Sequence, residues 1–213
     1  MTITHQQDQL LFATLRHVPF DGWSVAALRH AERELDLAPG TAMCLFPREI
    51  PDVLAHLEDW ANRQMEADWA AAPTGALKVR EKVALAMRLR LTALAPYREA
   101  LRRLPGHYLV SLRGGDLTAS VWRTCDRIWR LAGDTATDFN YYSKRGLLAG
   151  VYSATLLYWL RDDSENSTAT WVFLDRRLLD VMRIPKLTAP LKRACGGIGS
   201  LAVQACSVLR PRL

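Results

Sequence analysis

Residues able to do chemistry are present in this chain, but not at the spacings chemistry needs. The five histidines, His5, His17, His30, His56 and His107, are scattered. No HExxH pair sets two imidazoles on one helix face for zinc. No ExxH pair with further glutamates suggests a di-iron centre. Cys44, Cys125, Cys195 and Cys206 form no CxxC pair, so neither a zinc cluster nor a disulfide framework is indicated and a reducing compartment is expected. No GxSxG elbow or Cys–His signature appears. Gly196-Gly197-Ile198-Gly199 only superficially resembles a phosphate loop, since no Gly-Lys-Ser/Thr follows and no strand precedes it. Carboxylates stand beside cations, as in Arg80-Glu81-Lys82, and read as solvated ion pairs. The expectation is a protein that binds rather than catalyses, with no catalytic residue, no metal and no cofactor.

The chain's 213 residues are 49% apolar and 23% charged, enough to bury a substantial core. Its net charge of +6 is unevenly placed. From Arg183 onward stand Arg183, Lys186, Lys192, Arg193, Arg210 and Arg212 without one Asp or Glu, and the residues before them are balanced. A nucleic-acid protein more often spreads basic charge over a docking face of its body. A basic tail points to anionic lipid, an acidic partner, or solvent. The opening MTITHQQDQLLFATLRH has no basic segment followed by an apolar one and is not rich in Arg and Ser, so no signal or transit peptide is expected.

Apolar residues recur at three and four, which predicts helices throughout and no strand. The first spans Gln6 to His17, followed by a turn at Pro19-Phe20-Asp21-Gly22. Ser24 caps a second to Leu35, and a third covers Thr41 to Phe46. Pro51 opens a fourth to Trp69. Later helices are expected from Leu77 to Ala95, from Tyr97 to Leu104 (stopped by Pro105-Gly106), and from Leu117 to Ala132 after an irregular stretch around Gly114-Gly115. Thr137 or Asp138 caps another to Leu160, and Ser167 one to Met182. Gly146 to Leu160 holds no charge over 15 positions, short of the ~20 a membrane span needs. It is either a buried core helix or the lining of an apolar ligand cavity. Gly146, Gly150 and Ala154 share a face that would let another helix approach or leave room for a ligand.

In the tail, Thr188 can cap a helix after Pro185, with Leu187, Leu191, Ile198, Leu201 and Val208 along one apolar stripe. Leu191, Lys192, Arg193, Ile198 and Leu201 are the candidate membrane-binding residues. Such a stripe either docks on an anionic surface or packs back on the body.

The N-terminal short helices read as a helix-turn-helix unit. Leu35 to Glu49 resembles the turn and recognition helix of the TetR family through Pro39, Gly40, Thr41 and Phe46, with Phe12, Ala27, Leu28 and Ala31 at core positions. DNA readers need polar donors on that helix. This one offers Ala42, Met43, Cys44 and Leu45, with Arg48 the nearby cation, so no nucleic-acid binding is expected.

Val121 to Met182 carries a more specific likeness. Trp122 and Trp129, the turn Ala132-Gly133-Asp134-Thr135, and Thr137-Asp138-Phe139 are followed by Tyr142, Arg145, Leu148, Ala149 and Tyr152. Trp171, Phe173, Leu174, Arg176, Arg177, Asp180 and Met182 complete the pattern. With Pro19 to Trp23 and Leu45 to Pro47, the stretch from about residue 10 to 184 resembles the Coq-nine family of ubiquinone-biosynthesis accessory proteins. The resemblance implies an all-α, TetR-like fold: a helix-turn-helix-like unit over 1–48, a helical lipid-binding bundle over 49–184 and a basic amphipathic tail over 185–213. It implies a lipid-binding accessory protein that presents an isoprenoid quinone intermediate to a quinone-ring hydroxylase. It places Trp122, Trp129, Leu148, Tyr152 and Trp171 at the lipid. Ile128, Leu131 and Tyr141 would face the partner, although Ile128 and Leu131 read equally as core residues and the family prefers Trp where Tyr141 stands. A homodimer paired through the last two body helices is expected, peripheral on the inner membrane face from the cytoplasm, or from the mitochondrial matrix in a eukaryote. The alternative function is a ligand-sensing TetR-type transcription regulator.

Overall fold

The computed structural model describes residues 2–111, 114–135 and 139–181, and these are helical with no strand among them. Nine helices carry named bounds: α1 (Ile3–Asp21), α2 (Val25–Glu34), α3 (Thr41–Leu45), α4 (Ile50–Ala71), α5 (Val79–Leu94), α6 (Arg98–Arg102), α7 (Leu104–Ser111), α8 (Gly114–Leu131) and α9 (Phe139–Arg161). A further helix, α10, covers 168–181. No described helix is long and apolar enough to cross a membrane.

The starts follow local chemistry. Ser24 Oγ accepts from the Ala27 N–H at 3.2 Å, the expected cap of α2. Pro51 lies in the first turn of α4, where a missing N–H costs nothing. Gly40, at φ 91°, makes the left-handed turn into α3. The buried Glu32 carboxylate then accepts from the Ala42 N–H at 2.8 Å, holding α3 against α2.

Four boundaries differ from the sequence expectation. Helix α1 runs through Pro19 to Asp21 and turns only at Gly22, φ 68°. In the last turn a proline deletes one hydrogen bond and the helix continues. The helix expected from Tyr97 does stop before Pro105, as α6, but a further helix, α7, opens there with Pro105 in its first turn. Helix α8 already begins at Gly114, in the stretch expected to be irregular. Ser167 does not cap α10; its own φ is 56°. The Asp162 carboxylate accepts from the Thr170 N–H at 2.9 Å, and Ser164 Oγ accepts from the Ala169 N–H at 3.0 Å. The expected caps Thr137 and Asp138 and the whole tail from Met182 lie outside the described residues.

The interior forms two clusters. One gathers α1 to α4 around Leu10, Leu28, Phe46 and Leu57 and extends to Leu101 and Trp159. Trp23 ties the N-terminal helices to α6, its indole N–H donating to the Ala100 carbonyl at 3.0 Å. The other joins α4, α5, α8, α9 and α10 through Met65, Met87, Ile128, Leu148 and Leu174. Burying each such side chain contributes about 1.5–3 kcal/mol.

Candidate functional site

Helix α9 walls two apolar cavities. The first, of about 210 Å³, lies between α5, α8, α9 and α10, lined by Val83, Trp129, Leu148, Val151, Leu178 and Val181. The Trp129 indole N–H donates to the Lys144 carbonyl at 3.1 Å. Its polar tip is thereby satisfied while the ring stays available to apolar contact.

The second cavity, of about 360 Å³, is walled by Leu54, Leu94, Leu101, Val121, Leu156 and Leu160. Leu117 and Leu157 line its exposed mouth, being 38% and 55% accessible. Glu58, Arg90, Ser120 and Tyr152 line it as well. Arg90 is fully buried. Its Nε donates to Asn62 Oδ1 at 3.0 Å, and its other nitrogens donate to the Tyr152 hydroxyl and the Glu58 carboxylate. Burial alone would lower the guanidinium pKa, but Glu58 and Tyr152 outweigh it and Arg90 stays a cation. Burial raises the Tyr152 phenol, which stays protonated, and pushes the neighbouring Cys125 thiol up to about 12.

A second buried network pins α8 to the start of α9. Arg145 donates through Nε to Asp126 at 2.7 Å and through Nη1 to Asp134 at 3.1 Å. Lys144 reaches Asp134 at 2.6 Å. Burial pushes both carboxyls up, but the hydrogen bonds from Arg145 and its neighbours prevail and hold them below their ordinary range. Tyr141 donates its hydroxyl to Asp126 at 3.1 Å, and the Arg145 guanidinium lies 3.5 Å from its ring centre. The carboxylates Glu58, Asp126 and Asp134 are therefore anchored in or beside the core, unlike the solvated pairs the sequence suggests. A cation that falls on a helix's apolar face must bring its counter-charge inside.

The expected lipid residues are divided. Trp129 and Leu148 line the first cavity and Tyr152 the second. Trp122 lines neither; it stacks on the exposed Tyr142 at 6.2 Å and lies 6.4 Å from Tyr141. Trp171 also lines neither; its indole N–H donates to the Asn166 carbonyl at 2.9 Å. Of the expected partner residues, Ile128 is fully buried in the core and offers no surface, while Leu131 and Tyr141 are half-buried. Leu191, Lys192, Arg193, Ile198 and Leu201 lie outside the described residues. Gly146 and Gly150 face open space.

Sequence reasoning missed Arg90, Glu58 and Ser120. Arg90 had a legible signal, because Met87, Arg90, Leu91 and Leu94 fall at the spacing of one buried stripe, with Arg in an apolar slot. Ser120 has none.

On the helix-turn-helix face, Met43 and Cys44 are exposed. The Arg48 guanidinium is held by Asp52, its Nε donating at 2.8 Å. His17, Asp21 and His30 bring possible metal-ligand atoms within 4.8 Å of one another. Each imidazole already has a carboxylate, His17 with Glu34 and His30 with Asp21, both at 2.7 Å. The grouping crosses two helices, so no single-helix motif announces it.

An all-α chain with this N-terminal unit has a TetR-like fold. A TetR transcriptional regulator from Nitrosomonas europaea superposes with a TM-score of 0.70 over 84% of this chain and 98% of its own, at 22% identity. Within the fold, residues 116–185 match the COQ9 family model. The chain is 30% identical over 191 residues to the ubiquinone biosynthesis protein COQ9, mitochondrial, of Homo sapiens, covering 84% of this chain and 58% of that protein. It is 29% identical over 185 residues to the Rattus norvegicus protein of the same name, covering 84% and 59%. A probable ubiquinone biosynthesis protein coq9, mitochondrial, of Dictyostelium discoideum is 28% identical over 206 residues, covering 88% and 63%. The chain thus spans under two thirds of the length of these relatives. Both resemblances read in the sequence, to TetR and to the Coq-nine family, are borne out.

Proposed function

We propose that the chain is a lipid-binding accessory protein of ubiquinone biosynthesis. It takes an isoprenoid quinone intermediate from a membrane and presents it to a quinone-ring hydroxylase. Its contribution is desolvation and orientation of the substrate, and it performs no chemistry itself. The observation that carries this reading is a coincidence of position: the segment that matches COQ9 supplies α8 and α9, which line both apolar cavities, and α10, which lines the first. Apolar cavities with few polar groups suit a prenylated ligand. The hydroxylase meets the aromatic surface of Trp122, Tyr141 and Tyr142 with Leu131, and Ile128 supports that surface from the core. Two copies pair through α9 and α10, and the basic tail holds the dimer on an anionic membrane. The relatives are mitochondrial by name, which supports the matrix face of the inner membrane as its place in a eukaryote.

The regulator reading fits α3 poorly. Met43 cannot donate to a phosphate, and the Arg48 charge is spent on Asp52. No nucleic acid is among the partners proposed.

Mass spectrometry of organic extracts of the purified protein tests the carrier reading. A co-purifying isoprenoid quinone or precursor is the expected result. Protein that is lipid-free and takes up no isoprenoid from vesicles overturns it.

A further inference from the structure

Ser120 is the residue of the second cavity that the carrier reading leaves unexplained. It is 7% exposed and lines the cavity. Its Oγ is buried with no hydrogen-bond partner among the described residues. A helical serine usually returns its proton to the preceding turn, and a buried hydroxyl left unbonded is costly. Arg90, Tyr152 and Glu58 line the same cavity. The Tyr152 oxygen accepts from Arg90, which leaves the phenol its own proton to give. Glu58 is partly exposed and keeps acceptor positions beyond its bond to Arg90.

We propose that this cavity is a head-group site for an uncharged oxygenated ring, a prenylated phenol or quinone, held ring-inward by Ser120, Tyr152 and Glu58 with its tail leaving between Leu117 and Leu157. The inference rests on the carrier reading, which supplies the ring, and adds to it the residues that hold the head group and the orientation they impose. Charge sets the class. Glu58 neutralises Arg90 within the wall, so a diphosphate would meet a carboxylate beside the cation and find no net positive site. A ring carbonyl accepts from Ser120 or Tyr152, and a ring hydroxyl donates to Glu58. Volume sets the orientation. About 360 Å³ is near the lower end of the ~300–1,000 Å³ of ligand pockets, room for a ring and the start of a tail. The remaining tail must pass the apolar mouth, where Leu157 is more than half exposed.

The test is calorimetric titration of the full chain with three geranyl-tailed probes delivered from cyclodextrin: a ubiquinone analogue, geranyl diphosphate and the headless hydrocarbon. Each is run on the wild type and on Ser120→Ala. The wild type is expected to prefer the quinone over both others by about tenfold, the worth of one or two well-made hydrogen bonds. Ser120→Ala removes an unbonded hydroxyl, so its melting temperature holds or rises, while quinone affinity falls several-fold and hydrocarbon affinity does not. Equal binding of all probes, tighter binding of the diphosphate, or an unchanged quinone affinity in Ser120→Ala overturns the head-group site and leaves the carrier reading standing. Binding of no probe overturns both.

Discussion

Asp162 sits where α9 ends and α10 begins, and its removal tests how α10 is held against the first cavity. The residue is 7% exposed. Oδ1 accepts from the Ser164 N–H at 2.9 Å, and Oδ2 accepts from the Thr170 N–H at 2.9 Å and the Thr170 hydroxyl at 2.5 Å. Burial pushes the carboxyl up, but the hydrogen bonds from Ser164 and Thr170 prevail and hold it down at about 2, against an ordinary 3.8. Each tenfold change in proton affinity corresponds to about 1.4 kcal/mol. Discounted for the solvent reaching a helix end, the carboxylate contributes about 1–2 kcal/mol, within the ~0.5–2 kcal/mol of a helix cap. Asp162→Ala should therefore lower stability at pH 7 by about 1–2 kcal/mol, or about 3–6 °C for a chain of this size. The sign of the pH effect follows from the depressed folded pKa. The contribution is complete above 3.8, the unfolded value, and is lost as pH falls toward about 2. Urea unfolding followed by tryptophan fluorescence at pH 7, 5, 4 and 3 reads it directly. The gap between wild type and variant should be constant from pH 7 to 5 and shrink below 4. A gap of the same size at pH 3, or none at pH 7, refutes this account of the cap.

Arg145→Met leaves Asp126 with Arg130 and Asp134 with Lys144 but strips both of their buried partner; urea unfolding should show a loss of about 2–3 kcal/mol, below the ~3–5 kcal/mol of a fully orphaned charge. For the dimer, light scattering should give about twice the 24.0 kDa chain mass, and Gly146→Trp or Gly150→Trp on the open face of α9 should return it to one chain; a wild-type monomer refutes the pairing. Tyr141→Ala should leave the fold intact yet reduce hydroxylase-dependent complementation by tenfold or more, as loss of an interface aromatic costs ~2 kcal/mol; full complementation removes Tyr141 from the interface. Truncation after Ile184 should abolish flotation with anionic vesicles, and equal flotation of both forms rules the tail out as anchor.

How much of this was legible in the sequence depended on whether the signal was local. Ser24, Gly40 and Pro51 announce their helix boundaries because a cap or a turn is decided within four residues. Pro19 misled because a proline in a helix's last turn looks in sequence like one that ends it, and Pro105 because a proline that follows one helix can also open the next. Ser167 misled because the true caps, Asp162 and Ser164, reach α10 from five to eight residues away. The resemblance places all the lipid residues at one ligand, but Trp129 and Tyr152, on different helices, line separate cavities. Which cavity an aromatic faces depends on how α8 and α9 rotate against α5 and α10, and no single helix's periodicity contains that. The ion pairs were hardest, since Arg90 meets Glu58 across 32 positions of chain.

The Arg90 cluster also bears on how the proposed carrier would work. A buried cation in an apolar wall adds little stability over a hydrophobic residue of its size. Here it is bonded by Asn62, Tyr152 and Glu58, so the Arg90 cluster meets its own charge from within the wall. In the cavity lining Ser120 is left unsatisfied, and a neutral hydroxyl is far cheaper to strand than an ion. A protein that must be stable both empty and loaded needs this division, with strong charges paired internally and weak neutral donors left for the ligand. Neutral hydrogen bonds give modest affinity, which suits a molecule that must let its cargo go. Had Arg90 been left for the ligand to pair, the empty state would bear the cost and the loaded state would release slowly.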